Sequence, residues 1–184
     1  LTTRHVDVRG STIRFHFRAK SGQKRVVDVR DERLARALQK IGDLPGQRLF
    51  QYVDDEGKLR PIDADDVNEY LRRVAGADFS AKDFRTWAGT VLTAHALRAL
   101  GPAERRQVRR NMVAAIATTA SKLGNTPAVC RSCYVHPDVL AAYEEGTLLA
   151  ELERAARARS GLFPHEAAVA ALLRRRASPQ RHAA

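Results

Sequence analysis

The feature that most constrains the fold is a single change of hydrophobic period near residue 30. Before it, apolar residues recur at every second position: Val6 and Val8, then Ile13, Phe15 and Phe17. Such a period lines one face of a strand. Arg9-Gly10-Ser11 separates these two runs, and Ala19-Lys20-Ser21-Gly22 joins the second to Arg25-Val26-Val27-Asp28-Val29. Both connections carry turn residues, so the segment reads as a small antiparallel sheet with Lys20 at a hairpin tip.

Beyond residue 30 the period becomes helical. Asp31 caps a helix carrying Leu34, Leu38 and Ile41, which Gly42 ends. Residues 43–62 are loop-rich, with Leu49, Phe50 and Tyr52 as one short extended piece. Asp63 opens a helix to about Ala75, with Val67, Tyr70, Leu71 and Val74 on one face. Ser80 caps a third, which reaches Leu100 before Gly101-Pro102. A fourth runs from about Ala103 to Leu123 and stops at Gly124. Pro127, suited to a first helical turn, starts a short helix expected to carry Cys130, Cys133 and Tyr134. Pro137 starts another that runs to Gly146, and 147–159 and 164–176 continue in helical sequence. The expected class is therefore α+β: one mostly helical domain over 1–176, with its sheet in 1–30 and a frayed tail at 177–184.

The 32 Lys and Arg against 21 Asp and Glu leave a formal charge of +11 on 184 residues. That surplus points to a polyanion, with nucleic acid foremost, because neutralising phosphates releases counterions. At 44% hydrophobic the chain is globular in composition. It has no apolar run of membrane-spanning length and no secretory signal at its start. Cys130 and Cys133 form one C-x-x-C, with His136 three residues on. A structural zinc site needs four ligands and a thioredoxin pair needs a strand-to-helix context. The reading is two small residues on a helix, with no metal.

Three short segments, ordinary singly, gain weight together. The first is Phe17-Arg18-Ala19-Lys20, a turn lysine. The second is Lys82-Asp83-Phe84-Arg85-Thr86-Trp87 near a helix start, where Lys82 and Arg85 share a face and Phe84 and Trp87 point to the core. The third is Gly124-Asn125-Thr126-Pro127, with Tyr134 nine residues after Asn125.

In order and spacing these segments resemble the shared blocks of the type IB DNA topoisomerases, the compact bacterial and poxvirus sort. The resemblance spans the chain to about Leu148. It implies the fold shared by that family and the tyrosine recombinases, and a cytoplasmic, nucleoid-associated enzyme that relaxes supercoiled double-stranded DNA. It implies no metal, nucleotide or other cofactor, since bond energy is held in a transient 3′-phosphotyrosyl link. Tyr134 is the implied nucleophile, and Lys20 the general acid that protonates the leaving 5′ oxygen, with Lys82 assisting.

The chemistry is consistent with these side chains. Charge builds on the non-bridging oxygens of a phosphodiester under in-line attack. Arg85 offers a fixed fork of donors to them, and Asn125 one neutral amide donor. A tyrosyl oxygen can form the covalent intermediate, and a poor leaving group needs a proton donor. Many relatives carry His where this chain has Asn125, and an amide does not titrate near neutral pH. The family also uses a further arginine on a helix before the sheet, for which this chain shows no match. The expectation is a monomer whose upstream segment supplies that arginine and completes a clamp on DNA, leaving this chain alone weakly active. Lys24, Arg25, Arg105, Arg106, Arg109 and Arg110 are candidates for backbone contacts.

Two other readings compete. A tyrosine recombinase or integrase uses the same chemistry, but its boxes typically read His-x-x-Arg and Leu-Gly-His. Here Lys82 stands three before Arg85, and the later box is Leu123-Gly124-Asn125. A basic DNA-binding module without catalysis would rest on Arg105 to Arg110 and on Arg174, Arg175 and Arg176, and would have no need of Tyr134.

Overall fold

The structure, a computed structural model, describes residues 1–19, 22, 24–155 and 162–177. The expected class holds: helices dominate, and a small antiparallel sheet lies near the N-terminus. The chain divides into two compact units, Leu1–Gly76 and Ala77–Ala184.

In the first unit a 3₁₀ turn at Thr3–His5 leads into β1 (Val6–Arg9), β2 (Thr12–Arg18) and β3 (Lys24–Arg30), in the order β1-β2-β3. The register pairs Val8 with Ile13 and Ile13 with Val29. The period-two residues thus share a face. That face packs on α1 (Glu32–Gly42), and Ile13, Ala35, Leu38 and Leu49 form the core. Asp31 caps α1 by accepting from the Leu34 backbone N–H at 2.8 Å. Across the sheet, Arg14 grips Asp28 through Nε at 2.7 Å and Nη2 at 3.0 Å. This fork holds the Asp28 carboxyl below its usual range. β2 and β3 pair as far as Arg18 and Lys24. Lys20 lies outside the described residues.

The 43–62 region holds more than the expected single extended piece. It forms a second hairpin, β4 (Gln51–Val53) with β5 (Leu59–Pro61). The turn is built by Asp54, whose carboxylate accepts from the backbone N–H groups of Glu56 and Lys58 and from Arg60 Nε. Tyr52, Val53 and Leu59 are exposed, so no apolar alternation announces the strands. α2 (Ala64–Ala75) is opened by Asp63 and Asp66 in a reciprocal capping box. It buries no residue, and Val67, Tyr70 and Val74 face outward.

The second unit is helical: α3 (Ala81–Leu100), α4 (Arg105–Leu123), α5 (Pro127–Cys133), α6 (Pro137–Glu144), α7 (Leu148–Ala155) and α8 (Pro164–Ala177). Its core includes Ala94, Leu97, Met112, Ile116, Val139, Leu148 and Leu172. Thr93 on α3 and Thr119 on α4, both fully buried, share a hydrogen bond of 3.0 Å. Tyr143 of α6 accepts from Asn111 Nδ2 at 2.7 Å and donates to the Gly101 carbonyl at 2.8 Å. Arg175 and Arg176, on which the competing reading as a DNA-binding module would rest, are bonded to Glu151 and Glu145, which lock α8 to α7 and to the end of α6. Among the described residues no helix is long and apolar enough to cross a membrane. The expected tail, 177–184, lies outside the described residues apart from Ala177, which ends α8.

Candidate active site

The second unit gathers residues far apart in sequence at one end of α3. Ser80 caps this helix with Asp83, whose carboxylate accepts from the Ser80 N–H at 2.9 Å and hydroxyl at 2.7 Å. Those bonds hold the Asp83 carboxyl below its usual range. The cap fixes the first turn, on which Lys82 and Arg85 stand exposed. Phe84 is 58% exposed and not in the core, because α3 is buried only from Gly89 onward. Trp87 is half-buried as expected, and its indole N–H donates to Glu166 on α8 at 3.3 Å.

Arg85 reaches two of the other segments. Its Nη2 donates to the Leu123 carbonyl at the end of α4, at 3.0 Å. Its guanidinium carbon also lies over the Tyr134 ring, 5.2 Å from the centroid. A cation over an aromatic face is attracted by the ring quadrupole. Gly124, in the left-handed conformation at φ 72°, ψ 35°, stops α4 where a side chain would be strained. The next residue, Asn125, ties its backbone N–H to the Ala120 carbonyl at 2.9 Å. Its side-chain Nδ2 is shielded from water and has no hydrogen-bond partner. A buried, unmet amide donor is costly, and an anion oxygen is the natural group to relieve it.

Thr126 then caps α5 by accepting from the Val129 backbone N–H, with Pro127 in the first turn. Tyr134 follows the last helical residue. It is the C-terminal cap of α5, not part of the helix proper, and donates its N–H to Cys130 at 3.0 Å. Cys130 is fully buried, and burial pushes its thiol up, whereas Cys133 is exposed. Both are free, and among the described residues no group of three or more His, Cys, Asp or Glu stands where it could hold a metal.

Arg85 therefore lies against the Tyr134 ring and bonds the Leu123 carbonyl two residues before Asn125, with Lys82 one helical turn before Arg85. Among the described residues no side-chain hydrogen bond or ring contact links Lys82 to Tyr134 or Asn125. The sequence reading gave no role to the residues that hold the tyrosine segment. The Thr86 hydroxyl is shared between the Lys82 carbonyl at 3.0 Å and the Cys133 carbonyl at 3.3 Å. The Thr90 hydroxyl donates to the Thr86 carbonyl at 2.8 Å and accepts the His136 backbone N–H at 3.1 Å. Between them, Gly89 presses on the Tyr134 backbone so closely that a Cβ there would stand 2.3 Å from the Tyr134 carbonyl oxygen. The available signal was a run of small residues, Thr86, Gly89, Thr90 and Thr93, recurring along one face of α3.

Residues 1–159 match the model of the eukaryotic DNA topoisomerase I catalytic core. The chain belongs to that family. A DNA topoisomerase 1B of Acanthamoeba polyphaga mimivirus is 31% identical to it over 152 residues. That match covers 78% of this chain and 45% of the viral protein, so the chain spans under half the length of this relative. The tyrosine recombinase reading is not favoured.

Proposed function

We propose that this chain carries most of the active site of a type IB DNA topoisomerase of the compact bacterial and poxvirus sort. The observation that carries the reading is Arg85 lying over the Tyr134 ring, 5.2 Å from its centroid, across 49 residues of sequence. It joins the anion-binding fork to the nucleophile. The family match and the shared blocks support the same reading.

The Tyr134 hydroxyl gives up its proton to solvent, which returns it when the tyrosine leaves in the reverse step, and its oxygen attacks the phosphorus of a DNA phosphodiester. The bond to the 5′ oxygen breaks as the bond to tyrosine forms, leaving a 3′-phosphotyrosyl link and a free 5′ hydroxyl. Arg85 and the Asn125 amide stabilise the charge on the non-bridging oxygens. Lys20 gives its proton to the departing 5′ oxygen, with Lys82 assisting. In the reverse step the 5′ hydroxyl attacks the phosphotyrosine, Tyr134 leaves, and Lys20 recovers the proton. The strand is rejoined without an external energy source.

Residues 1–176 work as one catalytic domain in this reading, followed by a short tail. An upstream segment supplies the remaining arginine and closes a clamp on the duplex. The enzyme acts as a monomer on double-stranded DNA in the cytoplasm, at the nucleoid. Exposed Arg105, Arg106, Arg109 and Arg110 on α4 are available for phosphate contacts. The test is plasmid relaxation by the full-length protein in excess chelator without ATP. Relaxation of any supercoiled plasmid is expected. Binding without relaxation would instead favour a DNA-binding module, and a demand for paired target sites a recombinase.

A further inference from the structure

We infer that Thr86, Gly89 and Thr90 are positioning residues that dock the tyrosine segment on α3 before DNA arrives. The inference rests on the reading of Tyr134 as the nucleophile. Three contacts carry it, and they grip consecutive parts of one short stretch. Thr86 holds the Cys133 carbonyl, Gly89 admits the Tyr134 carbonyl, and Thr90 holds the His136 N–H. The stretch lies between α5, which ends at Cys133, and α6, which starts at Pro137; the helices' own hydrogen bonds hold the Tyr134 N–H and the His136 carbonyl but not the three groups that α3 meets. Left to itself, such a linker would sample many conformations and carry the tyrosyl oxygen with it. Bonded to a long, well-packed helix, it offers one.

The helix that holds the linker also carries Arg85 one residue before Thr86. Nucleophile and fork are thus referred to the same turn of α3, and their separation is set by contacts spanning five residues. Each partner has a specific chemical need. The two threonine hydroxyls are saturated, each donating to a helix carbonyl while one also accepts an N–H. The Gly89 position tolerates no side chain. To move from 2.3 Å to ordinary contact, near 3.4 Å, a Cβ would push the Tyr134 backbone by about 1 Å. Displacements of that size at a reacting atom cost rate without touching binding.

The test uses the full-length protein with Thr86→Val, Thr90→Val and Gly89→Ala, and with Thr86→Ser and Thr90→Ser as conservative controls. Two quantities are read. One is the single-turnover rate of covalent capture on a nicked duplex that cannot be rejoined, alongside the Kd for intact duplex. The other is amide hydrogen exchange at His136 without DNA. The valine variants and Gly89→Ala are expected to slow capture by about 10- to 100-fold with Kd unchanged. The serine variants should recover most of the rate, and Thr90→Val should speed exchange at His136. Wild-type capture rates in both folded valine variants would overturn the inference, and so would unchanged His136 protection in Thr90→Val. If the wild-type protein captures no DNA, the proposed function falls, while the exchange measurement still decides whether the dock exists. If Gly89→Ala fails to fold, the threonine variants decide the outcome.

Discussion

Tyr134 is half-buried beside Arg85, at the end of a short helix. Its chemistry comes from its neighbours. Arg85 supplies a planar fork that a lysine cannot copy, so Arg85→Lys should keep the charge and lose most of the rate. Asn125 makes a sharper case. Its buried Nδ2 has no partner, so its one available service is a hydrogen bond to a bound oxygen. Asn125→Ala should therefore slow covalent capture. An amide has no proton to exchange near neutral pH, whereas imidazole does. Asn125→His should restore activity and add an inflection near pH 6.5 to the capture rate, about the ordinary value for histidine. Rate-against-pH profiles of the two proteins check this, and an inflection of that kind already present with Asn125 would assign it to another group.

At the scale of elements, α3 and α4 form the frame on which the site is built, and their buried threonine pair makes the frame testable. Thr93→Val leaves the Thr119 hydroxyl unmet in the core, at a cost of about 1–3 kcal/mol, whereas Thr93→Val with Thr119→Val removes both and should be closer to neutral. Urea unfolding of the two singles and the double reads the difference. Most of these elements were legible in the sequence. Asp31, Asp63 and Ser80 mark helix starts and Gly124 a stop because capping chemistry is local. The β4–β5 hairpin was not legible, because Tyr52, Val53 and Leu59 are all exposed and the turn is organised by one aspartate side chain. Phe84 was misplaced because periodicity assumes a covered face along the whole helix, and α3 buries residues only from Gly89 onward, leaving Phe84 58% exposed. Arg175 and Arg176 suited a nucleic-acid surface because their partners, Glu145 and Glu151, lie 24 to 31 residues away.

For the molecule as a whole, the proposed residues fall in both stretches of sequence, 1–76 and 77–184. Arg85, Asn125, Tyr134 and Lys82 belong to the helical unit, and the spacing of the sequence blocks is what singled them out. The docking contacts of Thr86, Gly89 and Thr90 were out of its reach, since spacing shows which residues share a face but not what backbone lies against it. Lys20 belongs to the sheet unit. If it is the acid, its work is confined to the leaving group. Lys20→Ala should then slow cleavage strongly on ordinary DNA and much less when the bridging 5′ oxygen is sulfur, which departs without a proton. Equal slowing on both substrates would remove Lys20 from that role. The central claim concerns one bond. The most direct measurement is to trap the full-length protein on a nicked duplex, digest the complex and locate the nucleotide adduct by mass spectrometry. A phosphate joined to Tyr134, lost in Tyr134→Phe while DNA binding remains, is the predicted result; a covalent adduct on any other residue, or one that survives Tyr134→Phe, would contradict it.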